Sequence, residues 1–229
     1  MNTPESWVAA ARPNPFYLGC HYFLSSLSKA VFSTRVLHAE RVPAVGPAIL
    51  ACNHLSFGDP PLIGSCLRRP VTFLARESLF ATPGFSHLIR SLNAVPVDRD
   101  GGGASGLRTV MGRLQAGSAV LLFPEGTRSP DGNLQPFRSG IGLMAIRCEA
   151  PVIPIRIFGM YEAWGRHLKF PRPHPVTVKF GQPLTFRRLR EEAVVADKRR
   201  LKAIYEQASQ EILQAVTQLQ PCEDVSRFP

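Results

Sequence analysis

From residue 47 onward, short apolar runs rich in β-branched residues alternate with stretches of helical periodicity, and that alternation leaves few architectures open to the chain. Residues 47–52, 71–75, 94–97, 119–123, 152–157 and 176–180 read as strands, and residues 61–67, 77–91, 105–116 and 139–148 read as the helices between them. A helical crossover returns the chain to the same end of a sheet, so strands spaced this way pair in parallel and need helices over both faces. The expectation is an α/β fold: a single domain with a mostly parallel central sheet flanked by helices. In open sheets of this kind ligands gather beyond the carboxyl ends of the strands. Functional side chains are therefore expected just after the strands.

The two ends of the chain are helical by the same criterion. Phe16, Cys20, Phe23, Leu24, Leu27 and Val31 share one helical stripe, and His21, Lys29 and Arg35 break any run long enough to cross a bilayer. Such a helix either packs on a core or lies flat in a membrane interface. Residues 1–40 are accordingly read as an N-terminal amphipathic, membrane-associating segment and residues 41–229 as the α/β domain. Residues 197–220 read as a long terminal helix.

Composition narrows the partners. The 229 residues, 45% hydrophobic and 19% charged, are globular and sized for one domain. Five cysteines, an odd number with no C-x-x-C spacing, speak against a disulfide framework or zinc site and are read as small buried hydrophobes. Arginine supplies 22 of the 27 basic residues, and the net charge is +10. A guanidinium offers phosphate a planar fork of donors. An anionic membrane, a phosphorylated substrate and nucleic acid all satisfy that surplus, but no aromatic-basic strand motif supports the last.

Three polar segments follow strands where ligands are expected. Asn53-His54-Leu55-Ser56-Phe57-Gly58-Asp59-Pro60 follows the first strand. Five positions on a continuous helix would separate His54 from Asp59, but Gly58 and the prolines at 60 and 61 favour a turn that brings them together. A carboxylate accepting one ring N–H of a histidine fixes the tautomer and raises the basicity of the other nitrogen. The competing reading makes Asp59 a helix cap and His54 a turn residue. Val95-Pro96-Val97-Asp98-Arg99 forms the second segment, and Phe123-Pro124-Glu125-Gly126-Thr127-Arg128-Ser129 the third.

N-H-x-x-x-x-D followed some seventy residues later by F-P-E-G-T-R-S resembles the glycerolipid acyltransferase family. Within it the chain is similar to the bacterial 1-acyl-sn-glycerol-3-phosphate acyltransferases. Val95–Arg99 stands where that family has an apolar run ending in Asp-Arg, and Val152-Ile153-Pro154-Ile155 matches its fourth block. The chain departs from the pattern at Arg76, where many relatives carry Lys, at Asn93, where Gly is common, and in the V-P-V of its second block.

The resemblance implies transfer of a fatty acyl group from a thioester to the free hydroxyl of a lysophospholipid, foremost 1-acyl-sn-glycerol 3-phosphate. His54 would be the general base and Asp59 its orienting carboxylate. Arg76, Arg99, Glu125, Gly126, Thr127 and Arg128 would bind substrate, with Glu125 orienting an arginine or accepting from a substrate hydroxyl. Acyl-CoA or acyl carrier protein would serve as co-substrate, with no metal and no other cofactor. The location implied is peripheral, on the cytoplasmic face of the cell membrane. Another lyso-lipid acceptor, such as a lyso-ornithine lipid, and a non-catalytic lipid- or acyl-carrier-binding protein remain open at this point. So does a dinucleotide-binding oxidoreductase using Gly101 to Gly106, whose glycines satisfy G-x-G-x-x-G.

Overall fold

The computed structural model describes residues 4–97 and 104–223. Its helices are α1 (Glu5–Ala10), α2 (Pro15–Phe32), α3 (Asp59–Cys66), α4 (Pro83–Ser91), α5 (Ala104–Gln115), α6 (Gly140–Arg147), α7 (Met160–Trp164), α8 (Arg187–Val195) and α9 (Lys198–Thr217). The strands are β1 (Arg35–Leu37), β2 (Ala48–Cys52), β3 (Val71–Arg76), β4 (Ala94–Val97), β5 (Ala119–Leu122), β6 (Val152–Phe158) and β7 (Thr177–Phe180). They form one sheet in the order β1-β7-β6-β2-β5-β3-β4. From β4 across to β6 all neighbours are parallel, while β7 runs antiparallel to β6 and parallel to β1.

Strand β2, at the centre, shows why its sequence is apolar throughout. Alternate residues point to opposite faces of a strand, and both faces here are covered. Leu50 and Cys52 pack with Leu62 and Ile63 of α3 and with Ile153 and Ile155 of β6. Ile49 and Ala51 pack with Ile141 of α6 and with Ile204 and Ile212 of α9. Ile49 and Leu50 are fully buried, and each stabilises the fold by about 1.5–3 kcal/mol relative to an exposed side chain.

Strand β1 lies at residues 35–37, before position 41, and pairs with β7 through Arg35↔Thr177 and Leu37↔Lys179. Upstream of it, Asn14 caps α2 by accepting the Tyr17 N–H at 2.7 Å, with Pro15 in the first turn. Tyr17 is buried and its hydroxyl accepts from the Val71 N–H at 3.2 Å. The indole of Trp7 seats against Gly46 and Gly117: a Cβ on Gly117 would meet its Cδ1 at 2.4 Å. The described residues before position 41 are thus packed into the α/β unit, and a cut at residue 40 would remove a strand and two anchors. Helix α2 presents two faces. Tyr17 and Ser28 are buried, while Phe16, Tyr22, Phe23 and Leu27 are exposed. Among the described residues no helix is long and apolar enough to cross a membrane.

Two expectations change. The helix expected over 77–91 is a 3₁₀ turn at Glu77–Phe80 followed by α4, because Pro83 lacks the N–H that a continuous helix would need and instead starts a new one. Cys52 and Cys148 are buried and Cys20 and Cys66 partly so, whereas Cys222 is exposed.

Candidate active site

Strands β2 and β5 are hydrogen-bonded neighbours in the register Ala51↔Leu122, so the segments that leave their carboxyl ends start side by side. The loop after β2 is tied down first. Asn53, buried, donates from its side-chain amide to the Ile157 carbonyl at 3.0 Å and accepts the Ile157 N–H at 2.8 Å. That pair fastens the first motif to β6 and leaves the next residue, His54, facing the strand edge.

The chain then turns ahead of α3, whose first turn holds Pro60, and returns Asp59 to His54. Asp59 is the first residue of α3, but the cap position is Gly58 and the Asp59 carboxylate bonds back to residues 54–56, so it does not cap the helix. Its fully buried carboxylate takes three donors on one oxygen. Oδ2 accepts from His54 Nδ1 at 2.8 Å, from the Leu55 N–H at 2.6 Å and from the Ser56 N–H at 2.8 Å. The other oxygen, Oδ1, is buried without a hydrogen-bond partner among the described residues. An ionised carboxylate only accepts, so Nδ1 carries the proton and Nε2 is left with the lone pair. The imidazole stacks on Phe123 with 3.9 Å between ring centroids.

Glu125 joins the two motif loops. It is buried; Oε1 accepts the His54 N–H at 2.7 Å and Oε2 accepts the Gln135 N–H at 3.1 Å. Burial pushes this carboxyl up to about 7, with the Asp59 charge adding to the rise and the two N–H donors opposing it. Each oxygen accepts from a backbone N–H, so Glu125 braces the two motif loops against each other. A third stitch runs from the Ser129 N–H to the His54 carbonyl at 2.7 Å.

The dyad opens onto a cavity of about 820 Å³. Besides His54 its walls are apolar side chains of strand ends and helices, among them Leu74, Val97, Leu107, Val110, Ile141 and Met144. Arg76, the exposed last residue of β3, and Arg138 line it too, and so does Gly126. Thr127 is exposed. The Arg128 guanidinium lies 3.4 Å over the Phe57 ring, which places it on the outer rim of the first motif. Arg99 and the glycines at 101–103 lie outside the described residues, while Gly106 sits within α5 beside Val97. Cys52, next to the motif, has its thiol held well above the ordinary range by burial and then by the charges of Asp59 and Glu125, conditions opposed to a thiolate nucleophile.

Arg138 and Asn53 are the site residues that carried no assigned role in the sequence. Asn53 was visible as part of the first motif. Arg138 had no local signal, because its approach to Gly126 is made only in three dimensions.

The family model described as Acyltransferase matches residues 33–158, more than half of the chain and all of the motifs above. The chain belongs to the acyltransferase family. Among curated relatives it is similar to the 1-acyl-sn-glycerol-3-phosphate acyltransferase of Cocos nucifera, 31% identical over 140 residues that make up 60% of this chain and 46% of the relative. The Bacillus subtilis (strain 168) protein of the same description is 28% identical over 137 residues, 58% of this chain and 68% of the relative. This acyltransferase chain spans about half the length of the first of its curated relatives. Among solved structures, the crystal structure of the 1-acyl-sn-glycerophosphate (LPA) acyltransferase PlsC from Thermotoga maritima aligns with a TM-score of 0.68 and 25% identity, covering 89% of this chain and 80% of that one. The fold and the motif order of the family are therefore present together.

Proposed function

We propose that the chain transfers a fatty acyl group from an acyl thioester to the free hydroxyl of 1-acyl-sn-glycerol 3-phosphate, giving phosphatidate. The observation that carries this reading is the 2.8 Å His54–Asp59 contact at the mouth of an apolar cavity of about 820 Å³. A thioester is already activated, so the protein must position two substrates, remove one proton and stabilise an oxyanion. His54 Nε2 takes the proton of the acceptor hydroxyl as its oxygen attacks the thioester carbonyl. Collapse of the tetrahedral intermediate expels the thiolate, which recovers that proton from His54. The carboxylate of Asp59 holds the tautomer and balances the imidazolium in between. No metal or further cofactor enters this sequence of steps, and the donor is acyl-CoA or acyl carrier protein.

The cavity's apolar walls suit an acyl chain, and Arg76 at its edge suits the phosphate of the acceptor. Arg99 and Arg128, by their places in the family blocks, serve the same phosphate. The names of the relatives favour the phosphatidate precursor over a lyso-ornithine lipid as acceptor. Purified protein given labelled acyl-CoA and a panel of lyso-lipids should acylate 1-acylglycerol 3-phosphate fastest. His54→Ala should lower that rate by orders of magnitude while the protein stays folded. Undiminished turnover in the variant would remove the base from the mechanism, and a folded wild type inert on every lyso-lipid would leave only a binding protein.

A two-tailed product does not leave into water, so the enzyme is placed peripherally on the cytoplasmic face of the cell membrane. The exposed Phe16, Tyr22, Phe23 and Leu27 of α2, with the net charge of +10, support an interfacial hold on anionic lipid. Because β1, Trp7 and Tyr17 belong to the packed unit, deleting residues 1–40 is a poor test. Replacing Phe16, Phe23 and Leu27 together with serine should release the folded protein from sedimenting anionic vesicles; co-sedimentation equal to wild type would assign the contact elsewhere.

A further inference from the structure

Arg138 belongs to none of the four sequence blocks, yet it is built into the third. Its backbone N–H donates to the Pro124 carbonyl at 2.9 Å. Its guanidinium lies against Gly126 so closely that a Cβ there would meet Nε at 2.4 Å and Cζ at 2.5 Å. Gly126 has φ +75, the left-handed region, so both the conformation and the absent side chain are needed to seat this arginine. Among the described residues the guanidinium has no hydrogen bond or ion pair. Glu125, the acid of the same motif as Gly126, has both oxygens on backbone N–H groups. Arg138 nevertheless lines the same cavity as His54 and Arg76. A cation fixed by its stem, unneutralised and facing the cleft that holds the base, is arranged for an anion that arrives from outside.

We propose that Arg138, seated on Gly126, is a further substrate ligand that binds phosphate oxygens of an acylation substrate. The fork of a guanidinium matches phosphate geometry, and its charge survives at any working pH. The inference rests on the reading given under Proposed function, in which two molecules bring phosphate to this cavity. One is the acceptor, through its phosphate ester. The other is the thioester donor, through its pantetheine-linked phosphates.

Binding and turnover measured separately keep the two readings apart. Calorimetry on the full chain in detergent micelles would compare wild type, Arg138→Ala and Arg138→Lys against 1-acylglycerol 3-phosphate, the matching monoacylglycerol and CoA, with KM and kcat determined alongside. Arg138→Ala should weaken one phosphate-bearing ligand by about 10- to 100-fold, the loss of a charge-assisted contact. Monoacylglycerol binding should hold, the KM for the same substrate should rise with kcat little changed, and Arg138→Lys should fall between the two. Loss on the acylglycerol phosphate assigns the acceptor as the source, and loss on CoA assigns the donor. Wild-type affinity for both in Arg138→Ala would overturn the inference. So would an equal loss for monoacylglycerol, or a wild type that binds neither phosphate ligand. Arg138→Gln, which keeps length and hydrogen bonding without charge, serves if the alanine variant fails to fold. A wild type that binds as expected but transfers no acyl group would refute the proposed function and leave this inference standing.

Discussion

Asp59 offers the sharpest separation of fold from chemistry, because one oxygen atom serves both. Its Oδ2 accepts from His54 Nδ1 and from the N–H groups of Leu55 and Ser56, while Oδ1 is buried and has no partner among the described residues. In Asp59→Asn the amide oxygen can take the place of Oδ2 and keep all three donors. The amide nitrogen then exchanges one unpartnered buried atom for another, so stability should change little. What is lost is the full negative charge beside an imidazolium that forms only during the reaction. At about 4 Å and an effective dielectric near 20 that charge pair is worth about 4 kcal/mol. The amide dipole retains part of this, so kcat should fall about 10²- to 10³-fold, at 1.36 kcal/mol per tenfold. Asp59→Ala, in contrast, strands two backbone N–H groups and the ring N–H in a dry site, at about 1–3 kcal/mol each. That sum approaches the roughly 5–15 kcal/mol by which whole domains are stable, and the alanine variant should melt far below wild type or fail to fold. Acyl-transfer kinetics paired with thermal melts of both variants check the reasoning. An asparagine variant within threefold of wild-type kcat, or an alanine variant with wild-type melting temperature, would refute it.

Folding raises the proton affinity of Glu125 from its ordinary 4.5 to about 7. Its contribution to stability is therefore complete below about pH 4.5 and is lost as pH rises through about 7, a span of at most about 3 kcal/mol. Denaturant unfolding across that window should show a downward slope that Glu125→Gln flattens; the same slope in both proteins would remove Glu125 as its source. Gly126→Ala puts a Cβ 2.4 Å from Arg138 Nε at φ +75, so it should cost about 1–2 kcal/mol and displace the guanidinium. The expected result is a melting temperature lower by about 2–8 °C with a KM increase matching that of Arg138→Ala, and an unchanged KM would separate the two residues. Trp7→Ala should lose roughly 1–3 kcal/mol, since the indole fills the notch at Gly117 and donates to the Gln115 carbonyl at 3.3 Å. An unaltered unfolding curve would mean that the N-terminal helix contributes nothing to the packed unit.

The sheet was legible where burial on both faces forces a continuous apolar run, as in β2 and β5, whose residues are all buried. Strand β1 was not, because Arg35, Val36 and Leu37 are too few to show a period and directly follow a longer helical stripe; its pairing with β7 is decided across the chain. The closing of His54 on Asp59 could be read from chemistry alone: Gly58 and Pro60 make a straight helix costly, and a turn of that length returns the carboxylate to the ring. Glu125 illustrates the opposite case. A charged residue beside arginines suggests a partner of opposite sign, and nothing local shows that two backbone N–H groups, one of them seventy residues upstream, will take its oxygens. Arg138 was invisible for the same reason, since its relation to Gly126 is one of packing.

The long interval between the two halves of the site follows from the order of the strands. β2 and β5 touch, but the chain between them first lays β3 against the far side of β5 and then β4 at the sheet edge. Both are parallel additions, so each needs its own crossover, and the seventy residues are the length of those excursions. Loops that leave adjacent parallel strands begin only about 4.8 Å apart, which is why the backbone of His54 on one and the carboxylate of Glu125 on the other meet without strain. The remaining freedom, the orientation of each loop, is removed by three bonds: Asn53 to Ile157, His54 N–H to Glu125, and Ser129 N–H to the His54 carbonyl. Each of those bonds uses at least one backbone group, so changes in side chains around the cavity can alter the lipid it accepts while the base and its carboxylate stay where the sheet puts them.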